Sequence, residues 1–395
     1  MRFSAALPAI LAALASAQTP PNLTALLTGQ SQLSSFVQLL GVIPNVTSAL
    51  AATPNLTIFV PNNKALAAIL EGGGIFSLEE VARDPRLVEA IVRYHVVKGV
   101  VRSSDIKETQ TFAPTLLNYT TLVADGGVAG SNITGGQVIS VQLEKNEVVL
   151  TTGLKSTAKV VQADLTYNNG VVHIIDSLLT IPQLVSETAI AGNFSALAGA
   201  AISTNLITAL DTTPDLTIFV PNNAAFQQIE PTLRTLNLSQ IASALTYHVI
   251  PGTVAYSTLL KAGSIRTLNG ASVYVRVESN GAVFVNQARV INADVLVANG
   301  VIHVIDSVLL PGVNVTSPAR PAAPVPFISG LPTPTMVQSE LLQSTSVVIE
   351  GTPTGSASST RSAPAQATTN AAVGGLRVGA MEMAVLVGGV VGLAL

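Results

Sequence analysis

The sequence predicts two copies of one domain, each combining helices with strands. The eleven residues that start at Asn169 (NGVVHIIDSLL) return 130 residues later as NGVIHVIDSVL, and eight positions are identical. Asn-Gly before alternating β-branched residues is a strong hairpin signal, because both residues tolerate the positive φ of a type I′ turn. The strand that follows is apolar on both faces, so we expect it to be buried on both sides.

The first half of each copy has helical spacing. Residues 23–50 carry apolar side chains at helix-like intervals, and a second helix is expected from about Pro85 into the pair Tyr94-His95. Between them lies TPNLTIFVPNN, residues 53–63, a short strand followed by two asparagines expected to cap the next helix. Residues 213–223 repeat this segment with one change, and the second copy has its own pair at Tyr247-His248.

The second half of each copy has strand spacing. Val138 to Thr152 predicts a hairpin that turns near Lys145-Asn146, and Asn280-Gly281 predicts its counterpart. The offset between copies falls from 153 at the Tyr-His pairs to 130 at the last strand, so the first copy holds 23 additional residues. We place them around the glycine-rich stretch 125–137 and expect a solvent-exposed loop there.

Both ends of the chain resemble processing signals. Residues 1–17 combine Arg2, an apolar run and Ala15-Ser16-Ala17, which predicts a secretory signal peptide. Residues 18–182 and 183–312 are then the two domains, and 313–370 is a stalk rich in Ser, Thr and Pro and predicted to be disordered. Small residues, a spacer and an apolar tail over 371–395 predict a glycosylphosphatidylinositol attachment signal, with Asn370 as the attachment residue.

Composition excludes some partners. The net charge is −3 without basic runs, so nucleic acid is not expected to bind.

Cysteine is absent, so stability has to come from the core. Only 10% of the residues are charged, and we expect N-glycans to supply solubility. The N-x-Ser/Thr sequons are Asn22, Asn45, Asn55, Asn118, Asn132, Asn193, Asn237 and Asn314.

The repeated TIFVPNN, the Tyr-His pairs and the closing NGV-x-H-x-ID-S resemble the motifs of fasciclin-like domains, and the resemblance covers about residues 19–311. It implies an α+β fold, in which each domain is a wedge or sandwich of about seven strands with a group of helices. Members of this family are typically secreted or surface-anchored adhesion proteins. The cysteine-free, sequon-rich pair is most similar to fungal members.

The resemblance also implies candidate adhesion residues. In animal members adhesion is attributed to the Tyr-His pair and to an Asp followed by an aliphatic residue before the last strand. The matching residues are Tyr94, His95, Asp164, Leu165, Tyr247, His248, Asp294 and Val295. From the residues alone, the tyrosines are alternatively half-buried with a bonded hydroxyl, and the aspartates alternatively close local turns.

The histidines invite a chemical interpretation that the spacing disfavours. His173 and Asp176 are three residues apart and point to opposite faces of a regular strand, as do His303 and Asp306. We therefore expect His173 and His303 to be buried, hydrogen-bonded core residues, with no metal site and no cofactor.

The sequence favours adhesion and leaves two other functions open. We expect a surface glycoprotein on the outer face of the plasma membrane or in the cell wall. Its partners would be other surface or matrix proteins or wall polysaccharides, with the membrane reached through the lipid anchor. The alternatives are a module that binds a polysaccharide or a small apolar ligand, which a sizeable apolar pocket would favour, and a surface hydrolase.

Overall fold

A computed structural model describes residues 19–71, 84–118, 120–122 and 128–312. The segments predicted to be a signal peptide, a stalk and an attachment signal with Asn370, together with the sequon at Asn314, lie outside the described residues. The predictions made for them therefore stay predictions.

Among the described residues the two copies share one order of elements, except that the first copy adds the strands Thr120–Leu122 and Val128–Gly130 and the second adds the short helix Glu230–Leu233. The helices of the first copy are α1 Leu23–Thr28, α2 Ser34–Val42, α3 Pro44–Ala52, α4 Asn63–Glu71 and α5 Pro85–Tyr94. Its strands are β1 Leu56–Pro61, β2 Val96–Lys98, β3 Thr111–Pro114, β4 Thr120–Leu122, β5 Val128–Gly130, β6 Val138–Glu144, β7 Glu147–Thr151, β8 Thr157–Tyr167 and β9 Gly170–Ile175. The helices of the second copy are α6 Val185–Ala191, α7 Ser195–Ser203, α8 Ile207–Thr212, α9 Asn223–Gln228, α10 Glu230–Leu233 and α11 Leu238–Tyr247. Its strands are β10 Leu216–Pro221, β11 Val249–Ile250, β12 Gly263–Arg266, β13 Ser272–Val277, β14 Val283–Val285, β15 Ala288–Val297 and β16 Gly300–Ile305.

Each copy forms a seven-stranded sheet with the same strand order. The first is β2-β1-β9-β8-β7-β6-β3 and the second is β11-β10-β16-β15-β14-β13-β12. β1 is parallel to β9 and β10 to β16, whereas the other neighbours are antiparallel. With the helices, these sheets confirm the α+β class and the tandem arrangement.

The repeated strand lies in the middle of each core. Alternate residues of β9 serve two clusters, because side chains along a strand point to opposite faces. Val172 and Ile174 pack with the helices through residues such as Phe36, whereas Ile175 packs with Phe59 against the outer strands. Burial on both sides is therefore confirmed.

The hairpin before β9 forms where Asn-Gly predicted it, but for a different reason. Asn169 and Gly170 do not have positive φ, so the expected type I′ turn is wrong. Gly170 instead begins a strand pressed against β1, where an added Cβ would lie 2.0 Å from the carbonyl oxygen of Leu56. At Gly300 the equivalent distance to Leu216 is 1.9 Å. Glycine is needed for close approach of two backbones.

The paired asparagines after β1 have separate roles. Oδ1 of Asn62 accepts from the N–H of Ala65 at 2.8 Å and caps α4, as predicted. Oδ1 of Asn63 accepts instead from the N–H of Ser35 in α2 at 3.0 Å. The second asparagine therefore joins two helices, which corrects its expected role as a cap of its own helix.

The extra length of the first copy is divided between two sites. Thr115 Oγ1 donates to the carbonyl of Gln137, 22 residues on, whereas its counterpart Thr267 donates to Ala271, four residues on. This difference accounts for 18 of the additional residues, and we call the segment 118–137 that contains them the first insertion. Between β7 and β8, Leu150 pairs with Ala158, whereas Val285 pairs with Ala288 in the second copy. The remaining five residues lie there, and we call residues 152–156 the second insertion.

The first insertion binds the second copy. The backbone N–H of Asn132 donates to Ala298 at 2.7 Å. Thr134 donates to the carboxylate of Asp215 from its N–H at 2.7 Å and from its hydroxyl at 2.6 Å. Nε2 of the fully buried Gln137 reaches the carbonyl of Val297 at 3.0 Å.

The second insertion makes a matching contact, because Nζ of Lys155 donates to the carbonyl of Ala293 at 2.7 Å. Apolar side chains of the two copies also pack on each other. Phe112 stacks on Tyr256 with ring centroids 4.1 Å apart, and Val138 packs with Tyr256 and Leu296. The prediction of a solvent-exposed loop is therefore wrong for Ser131, Ile133, Gly136 and Gln137, which are buried, and holds for Asn132, Thr134 and Gly135, which are exposed. Asn132, Thr134 and Gln137 find hydrogen-bond partners on the second copy.

Candidate adhesion site

The Tyr-His tyrosines are interior residues. Each is the last residue of a helix, α5 or α11, and points toward the outer strands. Tyr94 is 0% exposed and its hydroxyl donates to Val138 at 3.1 Å. Tyr247 is 5% exposed and donates to Ser272 at 2.9 Å. These rings cannot make the adhesive contacts that the resemblance implies, because the folded domain covers them.

His95 and His248 connect the helix end to the segment after the last strand. Nδ1–H of His95 donates to Ile91 at 2.8 Å, and Nε2 accepts from the N–H of Leu179 at 3.0 Å. His248 repeats this with Ala244 and Leu309. Burial lowers the pKa of each to about 4, so both rings are neutral at neutral pH. Their exposure is 0% and 3%, so they too cannot contact a partner.

The strand histidines occupy the core positions expected for them. His173 and His303 are 1% and 0% exposed. Nδ1 of His173 accepts from the backbone N–H of Asp164 at 3.2 Å, and Nδ1 of His303 accepts from that of Asp294 at 3.3 Å. Nε2–H of each ring donates to a main-chain carbonyl at 2.8 Å. Burial lowers the pKa of both imidazoles.

The motif aspartates anchor a distant loop. Asp164 and Asp294 lie at irregularities of β8 and β15 with φ of 60° and 61°. The Asp164 carboxylate accepts from the N–H of Ser103 at 3.0 Å and from its hydroxyl, and Asp294 accepts in the same way from Ser257. Although burial opposes it, these bonds hold the pKa of Asp164 below its usual value.

These aspartates therefore do not close a local turn. The serines lie 61 and 37 residues away, and sequence reasoning missed both. The available signal was their recurrence at equivalent places in the two copies.

The Ser-Asp-His grouping does not have the geometry of a hydrolytic site. In a catalytic triad the histidine takes the proton of the serine, whereas here the Ser103 hydroxyl donates directly to Asp164. Both ring nitrogens of His173 bind main-chain groups instead. Within the described ranges, no three His, Asp or Glu side chains are grouped closely enough to hold a metal ion.

The aspartate segment is open in the first copy and closed in the second. Asp164 and Leu165 are half-buried, whereas Asp294 and Val295 are 3% and 0% exposed. Lys155 reaches the carbonyl of Ala293 beside the second motif. The adhesive role predicted for Asp294 and Val295 therefore conflicts with their burial.

The exposed side chains near Asp164 are its strand neighbours. Val161 is 53% exposed, and Ala163, Thr166 and Asn168 are exposed as well. Their counterparts in the second copy are all buried or half-buried: Ile291, Ala293, Leu296 and Ala298. We call residues 161–168 of the first copy the open β8 segment.

The sequons within the described residues lie mostly on the surface. Asn22, Asn45, Asn55, Asn118, Asn132 and Asn237 are exposed and Asn193 is half-buried. Oδ1 of Asn22 caps α1 and Oδ1 of Asn237 caps α11, which leaves Nδ2, the atom that carries an N-glycan, free of the cap. Asn132 directs its Nδ2 to the carbonyl of Thr212 at 2.8 Å, so this sequon lies within the contact between copies.

Among the described helices, none alone has the length and hydropathy needed to cross a membrane. Ser31–Val42 and Pro44–Ala52 reach the threshold only when taken together, and they are bent by 110°. Phe36, Leu39 and Leu40 of this pair are buried in the first copy.

Comparison with known proteins agrees with the fold. The family model for the fasciclin domain matches residues 31–182 and 192–311. The chain belongs to the fasciclin domain family and carries two such domains in tandem.

Among its relatives is a fasciclin-like arabinogalactan protein of Arthroderma benhamiae, 29% identical over 78% of this chain and 73% of the relative. The fasciclin-like arabinogalactan protein CTB11 of Cercospora beticola is 30% identical over 66% of this chain and 68% of its own length. The transforming growth factor-beta-induced protein ig-h3 of Sus scrofa is 26% identical over 71% of this chain and 40% of that protein. A solved FAS1 domain pair of the insect cell adhesion molecule fasciclin I aligns with 23% identity and a TM-score of 0.34, over 71% of this chain and 99% of that one.

Proposed function

We propose that this protein is a secreted, surface-anchored glycoprotein that mediates adhesion to other cells, to matrix proteins or to wall polysaccharides. Membership of the fasciclin family and the names of the relatives support an extracellular, adhesion-type role. The proposal assigns no enzymatic activity and no cofactor.

The open β8 segment is the observation that carries the proposal. It offers a mixed surface of apolar and polar groups around Asp164 and Leu165, where the resemblance implies adhesion. Because the second copy closes the equivalent segment, each chain presents one such surface. A single weak contact becomes useful when many chains share a surface, because multivalent binding raises the overall affinity by about 10²- to 10⁴-fold.

The anchor completes the proposal. A signal peptide over 1–17, a stalk over 313–370 and lipid attachment at Asn370 would display the two domains away from the membrane. Phospholipase treatment of intact cells is expected to release the protein. Retention of the protein with its C-terminal tail still attached would contradict lipid attachment.

Adhesion is tested with beads that carry the phospholipase-released protein, scored for binding to cells, to wall polysaccharides and to each other. Val161→Asp places a charge on the open β8 segment and is expected to lower binding by about tenfold, as for a loss of 1.4 kcal/mol. Val277→Asp is the matched control, because Val277 is 39% exposed in the second copy.

Two outcomes would contradict the proposal. Beads that bind nothing, with glycans either present or removed, would leave the protein without an adhesive activity. Equal loss of binding in both variants would assign adhesion to a surface other than the open β8 segment.

A further inference from the structure

The second copy contains an apolar cleft that adhesion does not use. The cleft lies between α7, α9, α10, α11 and the segment after β16, and its volume is about 650 Å³. Its walls include Phe226, Leu233, Leu236, Ile241 and Leu245. This volume falls within the range of about 300–1,000 Å³ that is typical of small-molecule sites, which are likewise lined mainly by apolar side chains.

The charged side chains and the histidine of the cleft are already paired, and Asn237 is hydrogen-bonded to its own helix. Glu230 and Arg234 form an ion pair at 2.7 Å, so their charges cancel. Asn237 exchanges two hydrogen bonds with Gln240 at 2.9 Å each. Both ring nitrogens of His248 are bonded within the protein. A charged ligand would lose its hydration on entering the cleft and would find no unpaired charge of opposite sign there, so its binding is unfavourable.

The entrance favours a small molecule over a large partner. Leu238 is 57% exposed at the rim and continues the apolar lining outward. Beside it, Asn237 lines the cleft and belongs to the sequon Asn237-Leu238-Ser239. A glycan on Asn237 would occupy space that a protein surface or a bilayer would need, whereas a small molecule could pass beside it.

We propose that this cleft binds one uncharged, hydrocarbon-rich small molecule per chain. Burial of its apolar surface provides the free energy of binding, and the apolar walls select against charge. This site is separate from the open β8 segment, so the binding and adhesion experiments are independent.

The full-length secreted protein is titrated with the neutral fluorescent probe N-phenyl-1-naphthylamine. We expect saturable binding of one probe per chain. Leu236→Trp fills the cleft with an indole ring and is expected to weaken binding by at least about tenfold, because a filled site has no room for the probe. Leu259→Trp is the matched control: Leu259 is 59% exposed elsewhere in the second copy, and we expect no change.

Competition on the unmodified protein tests the preferred chemistry without relying on a folded variant. Dodecanol is expected to displace the probe at a concentration at least about tenfold lower than dodecanoate, because the ionised carboxylate has to be desolvated. Absence of saturable binding, equal binding by folded Leu236→Trp, or equal displacement by alcohol and carboxylate would overturn the proposal.

Discussion

At the scale of single residues, the side chains that identify the family maintain the interior. Each histidine binds main-chain groups with both ring nitrogens, which requires a neutral ring with one fixed tautomer. These bonds join segments far apart in the chain, such as His95 to Leu179 across 84 residues. The recurrence of the histidines therefore follows from folding and needs no catalytic explanation.

Buried neutral histidines make stability dependent on pH. The pKa of His95 and His248 is about 4 in the folded state against 6.5 for the ordinary side chain, so protons bind preferentially to the unfolded state as pH falls below 6.5. Acidification therefore lowers the free energy of unfolding. Together the two rings are expected to lower the free energy of unfolding by about 4 kcal/mol between pH 7 and pH 5, at about 1.36 kcal/mol per pKa unit.

Urea unfolding at pH 7, 6 and 5 measures this change. His248→Gln removes one of the two rings. The decrease in the free energy of unfolding that these two rings cause between pH 7 and pH 5 is expected to be about half as large in this variant. A free energy of unfolding that does not change between pH 7 and pH 5 would contradict the neutral, buried state of these rings.

At the scale of elements, the periodicity of the sequence predicted which helices and strands form but not which of them contact each other. The buried strand, the hairpins and the helix caps followed from local patterns at Gly170, Lys145-Asn146 and Asn62. The bond between Ser103 and Asp164 did not, because it joins residues 61 apart and no local pattern encodes it. The Asn-Gly turn was assigned the wrong geometry, because glycine serves both positive φ and close backbone approach, and the sequence does not distinguish the two.

Close approach of β10 and β16 makes Gly300 sensitive to substitution. Gly300→Ala would place a Cβ 1.9 Å from the carbonyl oxygen of Leu216, and the strands would have to separate. We expect a loss of about 3 kcal/mol in the free energy of unfolding, at the upper end of typical overpacking costs.

Gly41→Ala is the control, because Gly41 lies in α2 and an added Cβ meets nothing within 4 Å. It is expected to raise stability by up to about 1 kcal/mol through helix propensity. Thermal unfolding of both variants compares them, and similar effects at the two glycines would refute the close-approach explanation.

At the scale of the whole molecule, the two copies are similar in fold and unequal in surface. The insertions 118–137 and 152–156 of the first copy supply groups that bind the second copy around Val297 and Ala293. The sequence pattern predicted all the extra residues near 125–137 and so missed the five in the second insertion. It also predicted an exposed loop where Ser131, Ile133 and Gln137 are buried, because loops usually run over the protein surface. The contacts of the insertions become clear from the surface of the second copy that receives them, which includes Asp215 and Tyr256. We call this surface the partner surface.

The first copy differs at the positions equivalent to this partner surface. Arg102 stands where the second copy has Tyr256, and Thr166 stands where it has Leu296. The sequon asparagine Asn55 replaces Asp215. The first copy therefore lacks the apolar groups that receive an insertion, which is consistent with its open β8 segment.

Hydrogen–deuterium exchange tests most directly whether the second copy is closed by the first. Segments 162–168 and 292–298 are equivalent and share the bond from an aspartate N–H to a strand histidine, so each is the reference for the other. We expect slower exchange in 292–298. In the double variant Lys155→Ala, Asp215→Ala, which removes bonds to both insertions, exchange in 292–298 is expected to rise toward that of 162–168. Equal exchange of the two segments in the unmodified protein, unchanged in the variant, would contradict the account.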